Sequence, residues 1–368
     1  MSLKALLGID LPIIQAPMAG AQGSAMAIAV SNAGGLGSLP CAMLDADGLR
    51  RELATIWQGT TRPFNVNFFC HRQPDPDPAR DALWLAALSP YYREFGIQPP
   101  AAAGPGRTPF SQELAEVLAE FEPPVVSFHF GLPAPQLLDR VRSWGAKVLS
   151  TATTVDEARW LQDHGADAII AQGAEAGGHR GMFLTDDLTT QVGTFALLPQ
   201  VAEAVRVPVI AAGGIGDARG VAAAFALGAA GVQPGSAFLL CPESTITALH
   251  RAALGREGAR HTALTNVFTG RPARGIVNRI IRELGPMSAA APAFPLATGA
   301  IAPLRSHGER NGSDEFSPLW CGQNPLACRS VPASFSAASR WRPGRSCMTA
   351  RCGSRPPCNP AMPAALAW

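Results

Sequence analysis

Val207-Pro-Val-Ile-Ala-Ala-Gly-Gly-Ile-Gly-Asp217 carries a short apolar run into glycines and then into a helix start, and Gly231-Val-Gln-Pro-Gly-Ser236 repeats the pattern one element later. A short apolar run that breaks at glycine suits a buried parallel strand, covered by the crossover helix that follows it. The same unit recurs upstream. Pro12–Ala16, Gly35–Ser38, Phe64–Phe68, Val125–His129, Lys147–Thr151 and Ala168–Ala171 read as strands, and Val209–Ala212 and Gly231–Gln233 complete the set. Eight such units in about 250 residues is the dimension of an α/β fold of the (β/α)8, or TIM-barrel, type, whose reactive groups lie at the C-terminal ends of the strands. The helix signals agree. Thr154-Val-Asp-Glu157 reads as a capping box, Asp217 caps a helix through Val221, Ala224 and Phe225, and Gly145 and Gly165 each end a helix before a strand.

The barrel is expected over residues 1–242, interrupted by an insertion at about 70–124 that holds Pro74-Asp-Pro-Asp-Pro78 and both tyrosines, Tyr91 and Tyr92. So long an excursion after the third strand lies on the active face, where it is either a lid or pocket wall or plain decoration. The pocket-wall reading names Tyr91 and Tyr92, with Trp84. Residues 243–328 turn Pro-rich and helical, as in an appended, mostly helical cover lobe. Residues 329–368 hold arginine, proline and cysteine but no lysine, aspartate or glutamate, and show no helical period. This atypical stretch reads as a disordered tail or as the frame-shifted translation of a GC-rich gene.

Composition bounds the function. The chain has 368 residues, 47% hydrophobic and 16% charged, enough to bury a large core. A formal net charge of +2 gives no footprint for nucleic acid or an anionic membrane. Lys4 and Lys147 are the only lysines, and Lys147 stands at the start of its strand, away from the reactive end, so Schiff-base chemistry is disfavoured. The start, MSLKALLGID, lacks the apolar core of an export signal, and Leu11–Leu44, though uncharged, is broken by Pro12, Pro17 and Pro40; a cytoplasmic protein is expected. Eight cysteines occur without a C-x-x-C pair, and carboxylates are scarce at the strand ends, so neither a zinc site nor another metal site is expected.

The candidate chemistry gathers at the strand ends. Gly213 and Gly214, and Gln233, Pro234, Gly235 and Ser236 one strand later, offer bare backbone N–H groups to a phosphate at the place where barrels commonly bind one; the alternative is tight packing turns. Ala171-Gln172-Gly-Ala-Glu175-Ala-Gly177-Gly-His179-Arg-Gly181 puts a histidine in a glycine-rich rim loop, where it can approach substrate and act as a general base. His129 is the second rim histidine, a candidate for positioning. His71, His164, His250, His261 and His307 read as structural. Ala16, Pro17 and Met18 after the first strand, and Asn65-Val-Asn67 in the third, could meet the polar edge of a heterocycle, or simply end their strands.

At these residues the sequence resembles the nitronate monooxygenases, formerly 2-nitropropane dioxygenases. The likeness runs from Ile9 to about Arg329 through Pro12-Ile-Ile-Gln-Ala-Pro-Met-Ala-Gly20, Asn65-Val-Asn67, Ser127-Phe-His-Phe-Gly-Leu-Pro133, Glu175-Ala-Gly-Gly-His-Arg-Gly181, Ala211-Ala-Gly-Gly-Ile215 and Gln233-Pro-Gly-Ser236, then Thr269-Gly-Arg-Pro-Ala-Arg-Gly275 and Leu319-Trp-Cys-Gly-Gln323. It implies a TIM barrel with non-covalent FMN that oxidises alkyl nitronates, with nitroalkanes as a further substrate class, using O2 and giving carbonyl compounds and nitrite. Carried over, Asn67, Gln172, Gly177, Gly214 and Gln233 to Ser236 would hold FMN, and His179 would be the catalytic histidine. A monomer or homodimer is expected, with no nucleic-acid or membrane partner. Two other readings stay open: an FMN-dependent NAD(P)H reductase of the same superfamily, acting on enoyl-ACP or quinones, and a non-catalytic flavin-binding barrel. Ser127-Phe-His-Phe-Gly131 favours the nitronate reading.

Overall fold

The computed structural model describes residues 2–100 and 107–338. Its strands are β1 (Gly37–Pro40), β2 (Phe64–Phe69), β3 (Val125–His129), β4 (Lys147–Ala152), β5 (Ala168–Gln172), β6 (Gly178–His179), β7 (Val209–Ala212), β8 (Gly231–Val232), β9 (Thr262–Thr265) and β10 (Ala273–Ile276). Among the described residues, β1-β2-β3-β4-β5-β7-β8 form one parallel sheet in that order. The stretch Pro12–Ala16, expected as a full strand, makes only isolated bridges, Ile13 to Val232 and Ile14 to Leu36. Pro12 and Pro17 bracket it and supply no N–H, so the ladder cannot lengthen. Those bridges still close the ring: Ile14 N donates to Val232 O and Gln15 N to Leu36 O, both at 2.9 Å.

The barrel interior explains the apolar runs. Ile14, Leu36, Val125, Leu149, Ala168, Ile170 and Ile210 fill one end, and the short helix Leu3–Leu7 plugs it with Leu3 and Leu7. Outside, helices cover the sheet. Asp217 caps helix Ala218–Ala226 by accepting from the N–H groups of Arg219 and Gly220. Thr154 caps helix Val155–Asp163 as expected, but the return arm of the capping box lands elsewhere. Glu157 is fully buried; one carboxylate oxygen accepts from Thr153 N and Oγ1 at 2.7 Å each, and the other from Phe183 N at 2.6 Å. It staples the end of β4 to the loop that follows His179.

Two features add to the expectations. The mostly helical lobe after residue 243 also carries β9 and β10, which form a hairpin that takes in β6, with Ala273 opposite His179 and Arg274 opposite Gly178. The stretch from 329, expected to lack a helical period, contains the helix Ala333–Ala338, whose Ala333 and Ala337 pack with Met26, Val30 and Phe238. Small side chains allow that close approach where the composition hid any stripe. The rest of the tail, residues 339–368, falls outside the described residues. No helix among the described residues is long and apolar enough to cross a membrane.

Replacing Glu157 by leucine strands the buried donors of Thr153 and Phe183, and should lower unfolding free energy by about 3 kcal/mol. Glu157→Gln keeps one acceptor and should lose less. Urea titration of both variants measures the difference; equal stability of Glu157→Leu and the parent would refute the staple.

Candidate active site

A cavity of about 380 Å³ opens at the C-terminal ends of the strands. Ala16, Pro17, Met18, Asn67, His129, Gln172, Gly177, His179, Gly213, Gly214 and Gln233 to Ser236 all line it. Residues far apart in sequence thus meet in one space because parallel strands end together. Tyr91, Tyr92 and Trp84 do not line it, which corrects the pocket-wall expectation. They sit on helix Pro78–Phe95 against helix Ala297–Arg310, where Trp84 Nε1 donates to Ala297 O and the Tyr92 hydroxyl to Ala300 O. Burial pushes both phenols up to about 12, so neither exchanges a proton near neutrality. The insertion does reach the cavity, but through Arg107.

At one end the backbone is bare. Gly213 and Gly214 take φ of +117° and +69°, a region glycine enters without strain, and turn the chain back over the cavity. Among the described residues the N–H groups of Gly214, Gly235 and Ser236 meet no acceptor. The positive end of helix Ala218–Ala226 is already occupied by Asp217, so any anion here rests on the turn and not on the helix terminus. Ser236 Oγ accepts from Gly322 N at 2.9 Å and lies 3.7 Å from Cys321 Sγ.

Along the middle, Asn67 Nδ2 donates to Ser127 Oγ at 2.9 Å, which leaves Oδ1 for a ligand. Gln233 Oε1 is buried without a partner among the described residues. Gln172 is engaged by the protein itself: Nε2 donates to His179 O at 3.0 Å and Oε1 accepts from Gly181 N at 2.8 Å. Its amide holds the histidine loop in place.

At the far end His179 Nε2 pairs with Thr269 Oγ1 at 2.9 Å, and Nδ1 has no partner among the described residues. Burial, with the charge of Arg107 next in size, holds the imidazole well below the usual histidine range, so it is neutral at working pH with one nitrogen uncommitted. His129 is different. Its Nε2 faces the carbonyl of His179 at 3.2 Å and must carry the hydrogen, so Nδ1 accepts from Thr151 Oγ1 at 3.1 Å. With both nitrogens used, it positions the loop and cannot take a substrate proton. Arg180, fully buried, donates to Gly173 O and Gln172 O at 2.7 Å each and to Gln191 Oε1 at 2.9 Å.

A sequence model of the nitronate monooxygenase family matches residues 1–334. The chain belongs to the nitronate monooxygenase family. It is 43% identical over 345 residues to a nitronate monooxygenase of Paraburkholderia phytofirmans, covering 93% of this chain and 94% of the relative. It is 43% identical over 332 residues to that of Pseudomonas aeruginosa, covering 89% and 95%. Among solved structures, a nitroalkane oxidase of Streptomyces ansochromogenes superposes with a TM-score of 0.84 at 38% identity, covering 93% of this chain and 98% of that one. FabK of Thermotoga maritima follows at 0.66 and 30%, covering 91% and 93%. The family match extends to residue 334, past the point near Arg329 where the sequence reading ended it, and so takes in the start of the last helix.

Sequence reasoning missed several residues in and beside this cavity. Thr269 and Trp320 stood in stretches quoted only as familial, although Thr269 holds the catalytic-candidate histidine and Trp320 packs 5.7 Å from its ring. His250, set aside as structural, lines the cavity, and His71 lies buried beside it against Phe294. No local signal marks either. Among the described residues no group of three or more His, Cys, Asp or Glu could hold a metal ion.

Burial lowers His71 to about 4, His129 to about 3 and His250 to about 4. Each binds a proton in the unfolded chain near 6.5 but not in the fold, so the unfolded state gains protons first. Stability should be level above about pH 6.5 and fall steeply toward pH 4. Thermal unfolding across pH 8 to 4 checks this; a Tm flat between pH 6.5 and 4.5 would contradict it.

Proposed function

We propose that the protein is an FMN-dependent nitronate monooxygenase, converting alkyl nitronates and O2 to carbonyl compounds and nitrite. The observation that carries this is the juxtaposition, in one cavity, of a bare backbone turn suited to a phosphate and a neutral buried histidine with one free nitrogen. A flavin is the cofactor class of this family, and FMN is the finer assignment. The donor set fits it. The unpaired N–H groups of Gly214, Gly235 and Ser236 suit its phosphate, the orphaned Gln233 Oε1 suits a hydroxyl of its sugar-alcohol chain, and Asn67 Oδ1 suits an N–H of its ring. Bound there, FMN supplies the electron acceptor.

The chain's own residues do the rest. Ala16 to Met18 form one wall, and Gly177 must stay glycine, since a Cβ would lie 2.5 Å from Gly322 N. Phe69 and Trp320 line the substrate end and limit water there. Toward a neutral nitroalkane, His179 Nδ1 takes the proton from the carbon beside the nitro group, while Thr269 fixes the ring through Nε2. Toward a nitronate, already deprotonated, His179 needs only to place the anion.

Oxygen uptake and nitrite release with propyl-2-nitronate test the reading directly. His179→Asn should keep its yellow cofactor and lose about 100-fold or more in kcat/KM for neutral 2-nitropropane, with a smaller loss for the nitronate. Anaerobic bleaching of the flavin by NAD(P)H, with none by the nitronate, would favour the reductase alternative instead.

A further inference from the structure

Among the described residues, Arg107 is the one arginine lining the cavity with nothing to neutralise it. Its backbone is fixed, because its carbonyl accepts from His71 Nε2 at 3.0 Å and Gln73 Nε2 at 2.8 Å. Its guanidinium makes no hydrogen bond to a described residue, and no carboxylate among them lies within ion-pair reach. The contact it does make is with the Phe294 ring, 5.8 Å from the centroid. His179 packs on the same ring at 5.2 Å, so cation and histidine share one end of the cavity. Other arginines are placed differently. Arg305 Nε pairs with Glu309 Oε1 at 2.7 Å, and Arg271, which lies behind the cavity lining, stacks over Phe130 and donates to Met182 O. The two acids of the lining are also taken, Glu309 by Arg305 and Ser317, and Glu175 by Thr194.

A half-buried cation without a partner is unfavourable, and partial desolvation together with the charge of Arg305 does lower the affinity of Arg107 for its proton. An anion arriving beside it relieves that penalty. A nitronate spreads one negative charge over two oxygens on one nitrogen, a spacing the guanidinium fork can meet with two parallel hydrogen bonds. We propose that Arg107 is the anion anchor of the substrate site, holding the nitronate oxygens and setting a preference for the anion over the neutral nitroalkane. This rests on the nitronate reading above, but anion binding can be measured apart from turnover.

The test uses the FMN-loaded protein and two neutral variants, Arg107→Met and Arg107→Gln, so that one remains if the other folds poorly. Propyl-2-nitronate carries no charge besides the nitronate group. Its KM should rise about 10- to 100-fold in both variants with a smaller change in kcat, the size expected for losing a charge-assisted pair. The ratio of kcat/KM for the nitronate to that for 2-nitropropane should fall. The Kd for nitrite, read from the flavin absorbance, should rise in parallel, and Arg107→Lys should restore part of both. Unchanged KM and nitrite Kd in the neutral variants, with turnover intact in the parent, would overturn the anchor and leave the function standing. A parent that binds nitrite through Arg107 yet does not oxidise nitronates would keep the anchor and overturn the function.

Discussion

The buried guanidinium of Arg180 holds the active end of the molecule together. It stands one residue after His179 and bonds to the carbonyls that end β5, so it ties the glycine-rich loop to the rim of the barrel. Burial lowers its pKa to about 10, with Arg274 adding to the fall and Glu157 and Glu175 opposing it. A lone buried charge would be unfavourable, but three hydrogen bonds and two nearby carboxylates offset its desolvation. The same acids organise the chain beyond it. Glu157 catches the loop at Phe183, and Glu175 catches Thr194, where the next helix begins. Glycine at 177 lets the backbone pass close to Gly322, glycine at 178 takes a φ of +72°, and the arginine removes the freedom those glycines would leave.

How much of this the sequence discloses depends on the range of the interaction. Strand ends are local, and β3 and β7 appear where the apolar runs placed them. β1 begins two residues later than expected, because Leu36 is taken by the bridge to Ile14 and pairing with β2 starts at Gly37. The loop motifs converge because all follow parallel strands. The tyrosines were misassigned although a local signal was present: Trp84, Leu88, Tyr91 and Tyr92 fall on one helical face, the spacing of a packing stripe. That stripe meets Phe316 and the helix Ala297–Arg310, which no pattern within the insertion could announce. Arg107 carries no motif of its own and Thr269 stands in a stretch marked only by the family likeness, and only the folded chain brings them beside His179.

The electrostatics of the cavity divide its labour. Three histidines line it, and two of them are held neutral by burial while also lacking any carboxylate partner: His129 and His179. Neutral imidazoles accept protons and do not repel cations, so the sign of the substrate end is set by arginine. That suits a reaction whose substrate is an anion and one of whose products, nitrite, is another. A carboxylate beside His179 would raise its basicity but would repel the nitronate, and none of the described residues places one there.

The hairpin of β9 and β10 gives this arrangement its reach across the chain. β6 has only two residues, Gly178 and His179, and finds its strand partners in the appended lobe and not in the barrel. The histidine is therefore held from two sides, by the barrel through Gln172 and His129 and by the lobe through Ala273 and Thr269. The bare turns at Gly213 and Ser236, by contrast, belong to β7 and β8 and owe their shape to the barrel. The proposed phosphate site thus draws on the barrel, while placement of the His179 imidazole draws on the contact between barrel and lobe. A barrel of this kind can keep its strand-end turns unchanged and alter the far end of the cavity through the lobe and the insertion, the segments that supply Trp320 and Arg107 to its lining and Thr269 as the partner of His179.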